Sequence, residues 1–194
     1  MPRAGLDKSK VVAAAARIAD SAGLQAVTLQ AVAADLRIKS PSLYAHVDGL
    51  DALRRELSIL GLEVLTQRLT DASIGRSGFD LLRSVASAQR SLANERPGLY
   101  AASVAANRPG DEELNEKWAG PVKIFRAVIR SYGIEGDEAD HAMRVLRTSI
   151  HGFALVDSIN GFRFGAKPDD TFERLVGSLH MALTNWSSVI NAED

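Results

Sequence analysis

Four side chains that can form hydrogen bonds without carrying negative charge stand in one short stretch: Ser40, Ser42, Tyr44 and His46. Leu43 and Val47 lie among them, four residues apart, and therefore share one face of a helix. If that face turns towards a core, the four polar groups look outward. Small hydroxyls, a tyrosine and a histidine on an exposed helix suit the major groove of DNA, where they reach base edges and phosphates.

The residues before this stretch carry the signals of a second short helix. Thr28 can cap it, because its hydroxyl can accept a hydrogen bond from an amide one turn further on. Residues 37–39 then interrupt the apolar pattern. Ser40 and Pro41 predict a new start, with a cap hydroxyl followed by a proline at the first helical position. Two short helices joined by a turn predict a helix-turn-helix.

The stretch TLQAVAADLRIKSPSLYAHV, residues 28–47, resembles the DNA-reading unit of the TetR family of bacterial transcriptional regulators. The similarity extends from Leu6 to about Leu57, through LDKSKVVAAAARIADSAGL and SPSLYAHVDGLDALRREL. Two positions depart from the family pattern. Arg37 stands where the turn usually has glycine, so the backbone there needs a positive φ or a different turn. Leu50 stands where a lysine often contacts phosphate.

The resemblance implies which residues touch DNA. In the family, the tyrosine and histidine that match Tyr44 and His46 contact phosphates, and Ser42 is the best candidate for reading a base edge. Gln30 could pair with adenine through two hydrogen bonds, although a solvated glutamine is an equal alternative. The lysines before and within the first helix are equally well explained as surface residues. The predicted DNA-binding residues are Lys8, Lys10, Thr28, Gln30, Arg37, Lys39, Ser40, Pro41, Ser42, Tyr44 and His46.

Composition indicates a globular protein, and the distribution of charge favours DNA contact at the N-terminal end, with a solvated face as the alternative. The 194 residues are 46% hydrophobic and 24% charged, as in soluble domains. Residues 1–55 hold eight basic and five acidic side chains, a net charge of +3, whereas the remainder carries −4. The absence of cysteine excludes disulfides, thiol nucleophiles and thiolate metal sites. Neither a signal peptide nor an apolar span is recognisable, so we expect a cytoplasmic protein without membrane contact.

Apolar periodicity predicts an all-α fold of about nine helices. A three-helix head should occupy residues 1–50, a connecting helix about 51–71, and a larger helical body residues 72–194. The helix predicted at about 137–159 has two apolar faces, which predicts burial between two layers. Besides the two short helices above, helices are predicted at about 8–22, 51–71, 79–94, 97–105, 111–132, 137–159 and 169–190.

The body resembles one TetR subgroup with a Trp/His-Gly-type signature, through His151-Gly152 in SIHGFALVDS. The resemblance implies a homodimer through the last two helices and a small apolar or amphipathic effector. A close-packed core is the alternative for every candidate lining residue. These candidates are Phe79, Tyr100, Trp118, Phe125, Met143, Leu146, Arg147 and His151.

Catalysis is poorly supported by the sequence. The histidines show no metal-type i, i+4 pairing, and neither H-E-x-x-H nor G-x-S-x-G nor a phosphate-cradling glycine loop occurs. We therefore expect no enzyme activity and no cofactor. The resemblance implies a ligand-responsive repressor that binds double-stranded DNA at a palindromic operator. Two alternatives stay open: a DNA-binding regulator without a ligand, and a helical carrier or enzyme with a vestigial head.

Overall fold

The computed structural model describes residues 6–106, 109–163 and 165–189. Within these ranges the chain forms helices and no strand, so the predicted all-α class is confirmed. Two 3₁₀-helices lie at Leu24–Ala26 and Ser40–Ala45. The α-helices are α1 (Lys8–Ala22), α2 (Leu29–Asp35), α3 (Leu50–Ser73), α4 (Gly78–Glu95), α5 (Pro97–Val104), α6 (Glu112–Arg130), α7 (Gly136–Ser158), α8 (Pro168–Thr184) and α9 (Trp186–Val189).

The first helix has the bounds that its apolar stripe predicts. The Asp7 carboxylate accepts a hydrogen bond from the Lys10 amide at 2.9 Å and so caps the N-terminus of α1. Gly23 ends the helix with φ 84°, a left-handed value that glycine adopts without steric cost. Both signals act within a few residues, and the predicted bounds are therefore confirmed.

The final long helix is shorter than predicted. The continuous helix expected at 169–190 is wrong, because α8 ends at Thr184 and a turn at Asn185 separates it from α9. The Asn185 side-chain amide donates to the Met181 carbonyl at 2.9 Å, where its own backbone N–H also donates. Asparagine thus satisfies a carbonyl at the helix end and favours termination there.

The chain divides into two compact units. The first unit comprises Met1–Val64 and Glu95–Trp118, and the second comprises Leu65–Asn94 and Ala119–Asp194. The first unit therefore includes α5, a segment distant in sequence from the N-terminal helices that it contacts.

In the first unit, α5 meets α1 at close range. A Cβ added to Gly98 would lie 2.0 Å from the Ala19 carbonyl carbon, so only glycine permits this approach. The Asp20 carboxylate accepts from the Leu99 amide at 2.9 Å and from Arg96 Nε at 2.5 Å. Asp20 thereby satisfies an amide at the start of α5 that has no partner within the helix.

Arg90 of α4 is the polar centre of the second unit. Its guanidinium lies 2.7 Å from an Asp157 oxygen of α7 and 2.7 Å from an Asp169 oxygen of α8. It also lies 5.4 Å and 4.8 Å from the ring centroids of Phe153 and Phe172. These distances are typical of cation–π contacts, so one arginine connects three helices of this unit.

Three expectations about burial need correction. Phe79 and Trp118, predicted to line the interior, each expose 37% of their surface. Helix α7 buries one of its two apolar faces, with Leu146 and Ile150 inaccessible to solvent. Its other face is only partly buried in the single chain: Ala142 is inaccessible to solvent, whereas Val145 exposes 44% and Ile159 68% of its surface. Apolar periodicity shows which residues share one face of a helix. Whether that face is buried depends on the element that packs against it.

In the part of the chain that the structure describes, no helix combines the length and apolarity needed to cross a membrane.

Candidate nucleic-acid interface

Helix α2 begins with the cap that the sequence predicts. The Thr28 hydroxyl oxygen accepts a hydrogen bond from the Ala31 amide at 3.1 Å. Val32 and Ala33 of the same helix are buried in the core of the first unit. These contacts hold the helix by its inner face, while Gln30 remains exposed on the outside.

The turn after α2 places a non-glycine residue in a left-handed conformation. Arg37 has φ 54°, so of the two outcomes expected at this position, a positive φ or a different turn, the structure shows the positive φ. Its amide donates to the Ala34 carbonyl at 3.1 Å, and the Ile38 amide donates to Ala33 at 3.0 Å. This is the hydrogen-bond pattern of a Schellman motif. A left-handed arginine costs on the order of 1 kcal/mol, which the two hydrogen bonds and the packing of Ile38 against the core offset.

The element that would enter DNA is a 3₁₀-helix at Ser40–Ala45, here called the recognition segment. The predicted cap role of Ser40 is wrong. The segment begins at Ser40 itself, and Pro41 is its second residue. Lys39 occupies the cap position and forms no side-chain cap hydrogen bond. The Ser42 amide donates to the Lys39 carbonyl at 2.9 Å, so a tight turn rather than a serine hydroxyl starts the segment.

The recognition segment separates anchoring from exposed residues. Leu43 is inaccessible to solvent and Val47 is buried, as their spacing predicts. Tyr44 exposes 60% of its surface although it is a large aromatic residue. Ser42 is exposed, and His46 is half-buried. The exposed groups therefore stand on a base that is fixed by the core, and no carboxylate lies within the segment.

The predicted cationic residues fall into two kinds. Arg37 and Lys39 are exposed, and within the described ranges neither has an ion-pair partner. Lys8 Nζ, in contrast, lies 2.5 Å from a Glu56 oxygen, and Lys10 Nζ lies 3.5 Å from Asp7. These two lysines would have to share or exchange a carboxylate to contact a phosphate, a competition that sequence spacing did not reveal.

The carboxylate beside Lys10 is charged over the whole physiological range. The pKa of Asp7 is lowered to about 2, first by the hydrogen bond from the Ser9 hydroxyl and then by the bond from the Lys10 amide. Asp7 therefore partly offsets the positive charge at the start of α1. Leu50, the other departure from the family pattern, is half-buried and packs against the core of the first unit.

The candidate effector residues lie in different units. Tyr100 and Trp118 belong to the first unit, and the other six belong to the second. Tyr100, Phe125 and Leu146 are buried in their cores. Their burial shows packing, and it neither supports nor excludes a ligand.

Three of these residues follow one another along α7 at a spacing of four. Met143, Arg147 and His151 are all half-buried, so one side of α7 presents a thioether, a guanidinium and an imidazole. The pKa of His151 lies below its usual value, chiefly because of burial and also because of the Arg147 charge. The imidazole is therefore neutral at pH 7. Within the described residues, no cluster of histidine and acidic side chains is placed to hold a metal ion.

Comparison with known proteins gives concordant results for both halves of the chain. Residues 82–179 match the family model of the tetracyclin repressor-like C-terminal domain. YobS of Bacillus subtilis, an uncharacterized HTH-type transcriptional regulator, is 32% identical over 183 residues, which cover 94% of each chain.

Solved structures share the fold at low identity. A Rhodococcus protein of unknown function superposes with a TM-score of 0.79 at 18% identity, over 95% of this chain and 99% of that one. ActR, a TetR family protein of Streptomyces coelicolor solved in complex with (S)-DNPA, superposes with a TM-score of 0.66 at 19% identity, over 93% and 98% of the two chains.

Proposed function

Because the chain belongs to the TetR family of transcriptional regulators, we propose that it is a repressor that binds a palindromic operator as a homodimer and responds to an effector. The recognition segment carries the DNA-binding part of this proposal. Its exposed Ser42 and Tyr44 stand beside the fully buried Leu43, so polar groups are presented on a rigid base.

Each exposed group in this region has a role that its chemistry suggests. Ser42 reads a base edge in the major groove, and Tyr44 and His46 hold phosphates. Thr28 uses its hydroxyl oxygen as a cap acceptor, which leaves the hydroxyl proton for a phosphate oxygen. Gln30, Ser40 and Pro41 border the groove contact.

The lysine and arginine side chains of the head determine the electrostatic part of the DNA affinity. Arg37 and Lys39 supply positive charge that is not neutralised within the described residues, whereas Lys8 and Lys10 act only when released from Glu56 and Asp7. Each phosphate contact releases counterions, so binding must weaken steeply with salt.

Fluorescence anisotropy with duplexes that flank the protein's own gene tests this proposal. We expect a specific complex whose log–log salt slope becomes shallower by roughly 1.8 for each of Arg37→Ala and Lys39→Ala, because each substitution removes one phosphate contact from each of the two protomers. Lys123→Ala, which removes an exposed lysine of α6, is the matched control and should keep the wild-type slope. If the folded protein bound no flanking duplex specifically, the proposal would fail, and a carrier or enzyme with a vestigial head would be favoured.

The exposed face of α7 supports a homodimer. Val145 and Leu155 are exposed on α7, and Ile159, the residue that follows the helix, is exposed as well. Gly152 lies between them, and a Cβ added there would meet nothing within 4 Å. On α8, Met181 is also exposed. An apolar stripe of this kind on the last two long helices suits a self-complementary contact between two copies of the chain.

Sedimentation equilibrium tests the dimer. Leu155→Glu should convert dimers to monomers, since two buried carboxylates would meet across a two-fold axis. Ile74→Glu alters an equally apolar and exposed residue away from this face, and the dimer should persist. If both variants remained dimeric, α7 would not be the interface.

A two-fold dimer would place its recognition segments about 34–36 Å apart, so inserting half a helical turn between operator half-sites should abolish binding.

Half-buried Met143, Arg147 and His151 favour an effector that is apolar with one or two polar groups. The (S)-DNPA complex of ActR shows that the same fold can hold a small molecule in that protein. Thermal shift with a library of small amphipathic acids and phenols should identify compounds that stabilise the wild type and lose their effect in His151→Ala.

A regulator without a ligand is the second candidate, and the complete burial of Phe125 and Leu146 favours it. Residues packed this tightly would have to move to admit an effector. DNA binding that no stabilising compound changes would support this second candidate.

A further inference from the structure

The second unit contains a cleft that the proposed function does not use. It lies where the segment between α6 and α7 meets the end of α8 and the start of α9, and it is an open cleft with a volume of about 480 Å³. This volume is within the range of about 300–1,000 Å³ that is usual for small-molecule sites. The cleft is lined by Tyr132, Gly133, Ile134, Glu135, Glu138, Leu183, Thr184, Trp186 and Ser187.

The charged groups of the cleft are both acidic. Glu135 occupies the cap position of α7, but its side chain forms no cap hydrogen bond. Glu138 accepts a hydrogen bond from Trp186 Nε1 at 2.7 Å. No lysine or arginine lines the cleft, and among the described residues neither glutamate has an ion-pair partner. Two carboxylates with no basic neighbour favour a cationic occupant.

The end of α8 adds to this negative potential. Leu183 and Thr184 form the last turn of the helix, where backbone carbonyls give the helix dipole its negative end. The positive end of α7 opens on the same cleft, so the two helix ends offset each other. The preference for a cation therefore rests on the two glutamates and not on the backbone.

Two aromatic residues supply the apolar surface of the cleft. The Tyr132 hydroxyl is 2.9 Å from His180 Nδ1, and the Trp186 indole N–H is bound by Glu138. The polar atoms of both rings are thus occupied, and ring carbon remains as contact surface. Ile134 and Leu183 are buried beneath them. Aromatic rings beside carboxylates are the combination that recognises organic ammonium groups.

We propose that this cleft binds a small organic monocation, an amine or quaternary ammonium with a flat apolar group. Glu135 and Glu138 face its charge, and Tyr132 and Trp186 pack against its apolar part. None of the residues predicted for the effector lines the cleft, so the site is separate from the Met143–Arg147–His151 face of α7.

Intrinsic fluorescence of the full chain tests the site. The chain has two tryptophans, so Trp118→Phe leaves Trp186 as the sole reporter. Benzyltrimethylammonium should change this fluorescence in a saturable way. Benzyl alcohol and benzoate, which share the ring but are neutral and anionic, should bind at least about ten-fold more weakly. Equal binding of benzyl alcohol would overturn the proposal, because it would show an apolar site without charge recognition.

Charge-neutral variants locate the contact. Glu138→Gln and Glu135→Gln should each weaken benzyltrimethylammonium binding by about five-fold, since glutamine keeps the shape and loses the charge. Asp137→Asn removes a neighbouring charge outside the lining and is the matched control. The proposal fails if both glutamate variants bind like the wild type, or if Asp137→Asn weakens binding as much as they do. If a glutamate variant does not fold, the charge selectivity of the parent chain still decides the outcome.

Discussion

The recognition segment and helix α7 divide their functional and anchoring residues differently. In the recognition segment, the buried Leu43 lies directly between the exposed Ser42 and Tyr44. On α7, the half-buried Arg147 follows the fully buried Leu146. A surface for a large polyanion must stand outside the core, whereas a pocket for a small molecule must be partly inside it. Candidate DNA contacts can therefore be told from core residues by their exposure, whereas candidate ligand contacts are buried to a similar degree as core residues.

The two units also differ in how their arginines are used. Arg37 in the first unit is exposed without an ion-pair partner in the described ranges. Arg90 in the second unit is half-buried between two aspartates and two phenylalanines. The charge of Arg37 can therefore bind another molecule, whereas the charge of Arg90 is neutralised by aspartates within the second unit. The substitutions below separate these two uses.

The largest effect is expected for Arg90→Met. Asp157 would lose its charged partner while largely buried, and breaking a pair of this kind costs about 3–5 kcal/mol of unfolding free energy. Arg83→Met is the control, because the Arg83–Glu173 pair is half exposed and contributes about 0–1 kcal/mol. Urea denaturation followed by circular dichroism measures both. Equal losses of unfolding free energy would mean that the Arg90 ion pairs stabilise the second unit no more than an exposed ion pair does.

Leu43→Ala should cost about 2–5 kcal/mol of unfolding free energy, since it empties a fully buried site beneath the recognition segment. DNA affinity, measured by anisotropy where the variant is still folded, should fall as well because the segment loses its anchor. Ile74→Ala truncates an exposed residue and should change stability by less than about 0.5 kcal/mol. A stable Leu43→Ala variant with normal DNA affinity would contradict the anchoring role.

Tyr44→Phe should weaken binding to operator and scrambled duplexes by a similar factor, about five-fold for one lost hydrogen bond. Phosphate contacts carry no sequence information, so the ratio of the two affinities should not change. Anisotropy titrations with both duplexes at one salt concentration give this ratio. A loss confined to one base pair would assign Tyr44 to base reading instead.

Ser42→Ala should alter base preference at one position of each half-site by about 1 kcal/mol or less. Selection of randomised half-sites by the wild type and the variant would reveal this change. Ser9→Ala, on the surface of α1, offers a comparison that leaves the recognition segment intact. An unchanged preference profile in Ser42→Ala would remove Ser42 from the base-reading residues.

The smallest effect concerns pH. The pKa of His151 in the folded chain lies below the ordinary value of 6.5, so the unfolded chain binds more protons between the two values. This contribution to stability is complete above pH 6.5 and is lost as pH falls towards the folded pKa. Urea midpoints across this range should show a pH dependence that His151→Gln reduces. His141→Gln, an exposed histidine of α7, should retain the wild-type dependence; if it did not, burial of His151 would not be the cause.

Local signals in the sequence predicted several features of the head correctly, although the Ser40 cap was wrong. The Thr28 cap, the stop at Gly23, the left-handed Arg37 and the inward Leu43 each depend on residues within one or two turns. The hydrogen-bonding geometry of a few neighbouring residues is fixed by their types, so these features could be predicted. The family resemblance rested on the same short stretch.

Tertiary structure alone decided the features that join distant segments. Lys8 meets Glu56, Arg90 meets Asp157, and Trp186 meets Glu138, and the partners in these pairs are 48, 67 and 48 residues apart. Neither these pairs nor the acidic cleft could be inferred from spacing, because periodicity gives the face of a helix and not the element packed against it. The exposure of Phe79 and Trp118 has the same cause. The sequence by itself determined the helices up to the end of α8 and the class of macromolecule that the head suits, and packing determined which charges remain for a partner.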